Sequence, residues 1–275
     1  MWVAIGLSFA LGLAATMVIY DLVRRRSGAR IAGHTALLLA LQPAAFFTAL
    51  PYSESLFLLL IALLLACLER ERFVAAGLLG AAMALTRPVG VFALAPLALA
   101  LASPSVAWSR RATVLLPLVG WAAYFGLLSV QTGDPGLGFA IQRQFVAAPS
   151  AARLLDPLGF LRALLEVRRV HGFVGSALDR AAFLAVMIGL GALVRRGRDE
   201  RPSLALSALL GVVPAVTTAF MSYVRYASVI FPVFEALARA LDKPRRGGLR
   251  VLVLLVFAAL QLGLMARHAT FRWAG

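Results

Sequence analysis

Residues 31–68, IAGHTALLLALQPAAFFTALPYSESLFLLLIALLLACL, lodge one carboxylate between two runs of hydrocarbon. The acid is Glu54, inside Pro51-Tyr52-Ser53-Glu54-Ser55. An ionisable group at membrane depth is costly unless it has a partner or a water-filled cavity, so chains keep such residues mostly where they bind or catalyse. Pro51 suits the first turn of a helix, which would set Glu54 near the positive end of that helix's dipole. The plainer reading is an interfacial glutamate that caps a helix and faces water. Spacing alone leaves both open.

The rest of the chain has the same character. Of its 275 residues, 61% are hydrophobic and 14% charged, and mean hydropathy is +0.89, outside the range of soluble domains. The expected fold is all-α: a polytopic transmembrane helical bundle, one domain over 1–275. The formal net charge of +15 invites a nucleic-acid partner. The basic residues fall in short clusters between apolar runs, however, which is a topology signal and forms no basic face. The expected environment is a lipid bilayer, and the Arg- and Ala-rich composition suggests a bacterial plasma membrane. Cys67 is the single cysteine, and His34, His171 and His268 are scattered without ligand spacing. No disulfide framework or Cys/His metal site is expected. No cofactor is identified, and a divalent-metal requirement stays open.

Apolar runs occupy roughly 2–20, 31–50, 51–68, 73–85, 88–102, 112–130, 180–194, 203–220, 227–241 and 249–267. A crossing needs about 20 residues, with about 17 tolerated. The runs at 73–85 and 88–102 are short, and as one broken helix they would reduce ten crossings to nine. Charge favours ten. One side then receives Arg24, Arg25, Arg26 and Arg30, then Arg70 and Arg72, and Arg110 and Arg111. It also receives Arg195, Arg196, Arg198 and Arg201, then Lys243, Arg245, Arg246 and Arg250. Such clusters mark the cytoplasmic face. Both termini are thereby expected outside. The first run lacks the basic leader and cleavage site of a signal peptide; a multispanning chain that opens on such a helix looks incomplete.

Residues 131–179 form the one sizeable loop, expected outside the cytoplasm and too long for an ordinary connection. Within it, LGFLRALLEVRRV sets apolar residues at helical spacing opposite arginines, as a connector or a surface-lying helix would. This orientation gathers polar residues at the outer leaflet. Tyr52, Ser53 and Glu54 lie there, with Thr86-Arg87-Pro88, Gln131-Thr132-Gly133-Asp134-Pro135 and Tyr223-Val224-Arg225-Tyr226. An arginine fork donates two bonds to one oxyanion pair, so Arg87 and Arg225 beside an apolar interior suit a lipid-linked phosphate. Singly, each arginine also reads as one snorkelling to the headgroups, and Thr-Gly-Asp-Pro as turn chemistry.

Four segments carry a resemblance. FFTALPYSESLFLLL resembles the FFxxxPYSESLF signature of the PIG-V family, the mannosyltransferases of GPI assembly and their bacterial relatives. LTRPVGV, TGDPGLGFAIQRQF and SYVRYASVIFPVF resemble further family segments in the same order. The resemblance implies a GT-C fold and an enzyme that takes sugar from a polyprenyl-phosphate donor on the extracytoplasmic side. The acceptor would be a lipid, glycan or protein whose hydroxyl, losing its proton to the carboxylate of an acidic residue acting as base, attacks the anomeric carbon with inversion. In that frame Arg87 and Arg225 are the expected donor-phosphate contacts, and Glu54 a positioning or acceptor-side carboxylate. Tyr52 and Tyr226 would be pocket residues, with Ser53, Asp134 and Gln142 completing the substrate set. The family's acidic first loop has no counterpart in this sequence. Glu54 and Asp134 are the candidates left for the base, and the chain is expected to be inactive, or nearly so, as it stands. A transporter or flippase for a lipid-linked or anionic substrate is the alternative class. It would spread ionisable groups through the membrane's depth, whereas here helix centres are nearly free of charge.

Overall fold

The computed structural model describes residues 2–103, 106–142, 144, 150–197 and 200–274. Arg198 of the basic cluster lies outside the described residues, as does the side chain of Gln142. The described chain is helical, with one isolated bridge between Arg169 and Ser176.

Fourteen helices follow in order: α1 (Trp2–Ser27), α2 (Ala29–Leu41), α3 (Glu54–Glu69), α4 (Phe73–Thr86), α5 (Leu94–Leu101), α6 (Trp108–Arg111) and α7 (Leu116–Thr132). Then come α8 (Leu137–Gln142), α9 (Pro157–Leu165), α10 (Ala177–Val194), α11 (Arg201–Thr218), α12 (Tyr223–Ala227), α13 (Phe231–Leu241) and α14 (Gly247–Ala269). Among the described residues, five stretches are long and apolar enough to cross a membrane: Trp2–Ser27, Trp108–Thr132, Ala177–Val194, Arg201–Thr218 and Pro244–Ala269. They mark the chain as a multi-pass membrane protein. The others, such as α2 at 13 residues and α4 at 14, fall short of even the roughly 17 that a crossing tolerates. Five of the expected ten crossings therefore meet the length criterion for a span among the described residues, and the shorter apolar helices do not.

Two sequence expectations change in detail. Pro51 does not open a helix; it sits in a bend after the 3-10 turn Ala45–Thr48, and α3 begins at Glu54 with Ser53 as its N-cap residue. The bend is closed by Tyr52 N donating to Leu50 O at 2.7 Å, so the turn uses up the proline before the helix starts. The runs at 73–85 and 88–102 are two elements. Arg87 is extended (φ −148°, ψ 137°), as a residue before proline prefers, and Pro88–Ala93 forms a 3-10 segment leading to α5. Gly90 tucks back so tightly that a Cβ there would overlap the Met83 backbone.

The packing that frames the later site depends on small residues, which let membrane helices approach closely. α4 lies on α7, with Gly77 facing Leu116 and Thr113, and Gly80 facing Pro117. A Cβ at Gly120 would run into the Ala81 carbonyl. Because that obstacle is backbone and cannot swing away, Gly120→Ala is expected to destabilise the bundle by about 1–3 kcal/mol, the range for overpacking. Thermal unfolding in detergent is the measurement, with Gly126→Ala, which meets open space, as the silent control.

At one end of the bundle two of the clustered arginines, Arg26 and Arg196, pair with buried acids. Arg26 bridges Glu69 and lies 3.6 Å from Glu200 and 3.8 Å from Glu235. Arg196 joins Glu200 at 2.5 Å and Glu235 at 3.2 Å, and Arg239 joins Glu235 at 2.9 Å. Glu235 also accepts from Ser27 Oγ at 2.8 Å. These bonds tie the C-terminal ends of α1, α3 and α10 to α13. Part of what reads as a topology signal is thus a clamp.

Candidate functional site

The opposite end holds a cavity of about 770 Å³. Glu54, the first residue of α3, is fully buried at its wall. Arg87, in the break after α4, places Nη2 2.5 Å from Glu54 Oε1, and its Nε donates to Ser53 Oγ at 2.6 Å. Arg225, on α12, donates from Nε to the same Oε1. Two guanidinium groups therefore share one carboxylate oxygen, and the trio carries a net charge of +1. Glu54 Oε2 has no hydrogen-bond partner. Such burial of an acid is tolerable only because it is paired.

Aromatic rings hold the arginines in place from behind. The Arg225 guanidinium carbon lies 4.3 Å from the Tyr52 ring centroid and 4.6 Å from that of Phe47, both within cation–π range. Arg87 lies 5.6 Å from the Phe57 ring. Tyr52 is half-exposed and covers Arg225 without lining the cavity. Ser55 Oγ donates to Thr48 O, anchoring the start of α3 to the 3-10 turn that carries Phe47.

The remaining wall divides by chemistry. Tyr124, Phe125 and Leu128 of α7, Phe139 of α8, and Leu154 form its apolar side. Phe125 and Phe139 stack with centroids 5.8 Å apart and planes inclined by 17°. Hydroxyl groups come from Ser150, Thr217, Thr218, Ser222 and Tyr226. Two of these are already engaged along α11: Thr217 donates to Val213 O at 2.8 Å and Thr218 to Pro214 O at 2.7 Å.

Of the candidate residues read from the sequence, Glu54, Arg87, Arg225 and Tyr226 converge on the cavity, with Ser53 and Tyr52 one contact behind. Asp134 does not reach it. It lies exposed in the turn after Gly133 (φ 75°), and its Oδ1 accepts from Gly136 N at 2.7 Å. The loop that carries it contributes Gly138 and Phe139 to the lining instead. Gln142 ends α8, and its side chain lies outside the described residues.

The aromatic wall of α7 gives no separate signal in the sequence, because GWAAYFGLL reads as an ordinary span. Asp179 has a signal of its own in the sequence: Ser176-Ala177-Leu178-Asp179 fits the helix-start pattern of Ser or Thr followed three residues later by an acid. Ser176 caps α10, its Oγ accepting from Asp179 N at 3.2 Å. His171, in the loop before α10, lies 3.2 Å from Ser176 Oγ through Nδ1. Burial first, then the nearby Arg267, lower its pKa from the usual imidazole value.

Among the described residues no group of three or more His, Cys, Asp or Glu could hold a metal ion. The geometry offers a cationic patch on an otherwise apolar and hydroxylated wall, suited to an amphiphilic anion. No protein-family model, curated protein or solved structure matches the chain.

Proposed function

We propose that the cavity binds a polyprenyl-phosphate-linked sugar, and that the chain is a membrane glycosyltransferase of the PIG-V-like, GT-C type acting at the extracytoplasmic face. The observation that carries the reading is the pair Arg87 and Arg225 on one buried carboxylate, beside an aromatic wall. Two cations against one anion leave a positive site for a phosphate. The wall formed by Phe125, Leu128 and Phe139 gives an isoprenoid an apolar path. The hydroxyls of Ser150, Ser222 and Tyr226 give a sugar hydrogen-bonding partners.

In this reading the arginines hold the donor phosphate and stabilise it as it leaves the anomeric carbon. The proton of the acceptor hydroxyl needs a base. Glu54 is the one acid among the described lining residues, and its Oε1 is occupied by both guanidinium groups. Its role is to position the arginines. General acid–base help is worth about 10²–10⁴-fold, so transfer by this chain is expected to be slow by that order.

The test is binding of a labelled polyprenyl-phosphate mannose to the protein in detergent. Saturable binding, displaced by polyprenyl phosphate and not by the neutral polyprenol, is the expected result. Equal displacement by the neutral alcohol would refute a phosphate site. Protein-dependent movement of the labelled lipid across a liposome would establish the flippase reading instead.

Sidedness has its own check. In a Cys67→Ala background, Ala152→Cys at the cavity end is expected to react with an impermeant thiol reagent on intact cells, and Ser109→Cys at the basic end only after lysis. Both positions are exposed. The reverse pattern would put the cavity in the cytoplasm and end the extracytoplasmic assignment.

A further inference from the structure

We propose that Asp179 is a positioning residue for Arg225: its buried carboxylate caps the short helix that carries the arginine and so holds the guanidinium at the cavity wall. The inference deepens the reading of that cavity as an anion site and rests on it.

α12 has five residues, too few to persist by helix propensity alone. The chain enters it through Ala219, Phe220 and Ser222, which have φ of 50°, 67° and 59°. Left-handed backbone costs a non-glycine residue roughly 1–2 kcal/mol. A strained turn of this kind survives only where its surroundings over-determine it. Ser222 occupies the N-cap position and makes no side-chain cap bond, so α12 does not cap itself.

Asp179 supplies the missing cap from α10. It is fully buried, and its Oδ1 accepts from Val224 N at 2.8 Å. A carboxylate there satisfies an orphan amide and also faces the positive end of the helix. The acid is itself fixed in place. Its backbone amide is bound to Ser176 Oγ, and His171 Nδ1 lies 3.9 Å from its Oδ2. The neighbouring Arg180 does not draw the carboxylate away, because its guanidinium donates to the carbonyls of Ala163 and Ser176. Tyr223 is wedged against Phe183 and Phe220 with ring centroids 5.6 and 6.1 Å apart, which prevents α12 from rolling. The next residue but one is Arg225, on Glu54. One short path therefore runs from Asp179 through the Val224 amide to the guanidinium.

The test has a ligand-free arm and a binding arm. Asp179→Asn keeps an acceptor oxygen, whereas Asp179→Ala removes it. In detergent, amide exchange in peptides covering 220–228 is expected to stay near wild type in D179N. In D179A it should quicken about 10-fold or more, the effect of losing one charged hydrogen bond. Binding of farnesyl phosphate is then measured for wild type, D179A, Arg225→Gln and the double variant. D179A should weaken binding about 10-fold alone and add nothing in the R225Q background, the non-additivity of residues that act through one another. Unchanged exchange in D179A, or an equal loss in both backgrounds, overturns the proposal. If wild type binds no farnesyl phosphate, the reading of the cavity fails, and exchange alone decides whether Asp179 positions α12.

Discussion

Glu54→Ala is expected to lower the stability of the bundle by about 3–5 kcal/mol, the range for removing one partner of a buried ion pair. The reason lies in what remains. Arg87 and Arg225, with side chains only 16% and 28% exposed, would face each other with no anion between them. Their residual contact with water places the effect toward the lower end of that range. Glu54→Gln keeps the volume and an acceptor and loses the charge, so it should fall between alanine and wild type. A triple change, Glu54→Leu with Arg87→Met and Arg225→Met, removes the charges together and should recover much of the loss, as apolar replacement of buried pairs often does. Thermal unfolding of the purified protein in detergent decides the matter. A Glu54→Ala variant within about 0.5 kcal/mol of wild type, the scale of an ordinary surface change, would show that the trio contributes little.

Arg87→Lys should weaken binding of a polyprenyl phosphate about 10- to 100-fold, equivalent to one charge-assisted hydrogen bond of roughly 1.5–3 kcal/mol. Arg87 uses two different nitrogens at once, Nη2 on Glu54 and Nε on Ser53, and still has donors left for an anion. A lysine carries one nitrogen on a flexible stem and cannot span both contacts while offering a fork to phosphate. The control is Arg24→Lys. Arg24 is 52% exposed and paired with Asp21 at 3.0 Å, an arrangement worth at most about 1 kcal/mol and remote from the cavity. Binding curves for the two variants should separate cleanly. If both tolerate lysine equally, Arg87 does not contact the ligand.

The class of molecule was legible because apolar length and charge clustering are local properties. The runs at 2–20, 112–130 and 249–267 needed only counting to be read as membrane helices, and α1, α7 and α14 follow them. Placing Glu54, Arg87 and Arg225 at one level was also within reach, since each sits at the end of an apolar run. The length of the remaining helices was harder to judge. Prolines and glycines inside an apolar stretch do not say whether the chain kinks, turns or reverses. At Arg87-Pro88 it turns and folds back onto Met83, because Gly90 permits a backbone contact that any side chain would block.

Hydropathy and helix-end chemistry in the sequence by themselves determined an all-helical membrane protein with acid, base and phenol at its helix ends. Which of those groups touch was decided by tertiary structure alone. Glu54 and Arg225 stand 171 positions apart, and no periodicity reports a partner at that distance. Packing of α3, α4 and α12 sets both arginines on one carboxylate oxygen, leaves Asp134 outside in its turn, and sends the Asp179 carboxylate to a helix from which the sequence places it far away. The physical reason is the cost of burying charge. Each ionisable group in an apolar bundle must find whatever counter-charge or orphan amide the packing brings within about 3 Å, and that neighbour is a property of the folded chain.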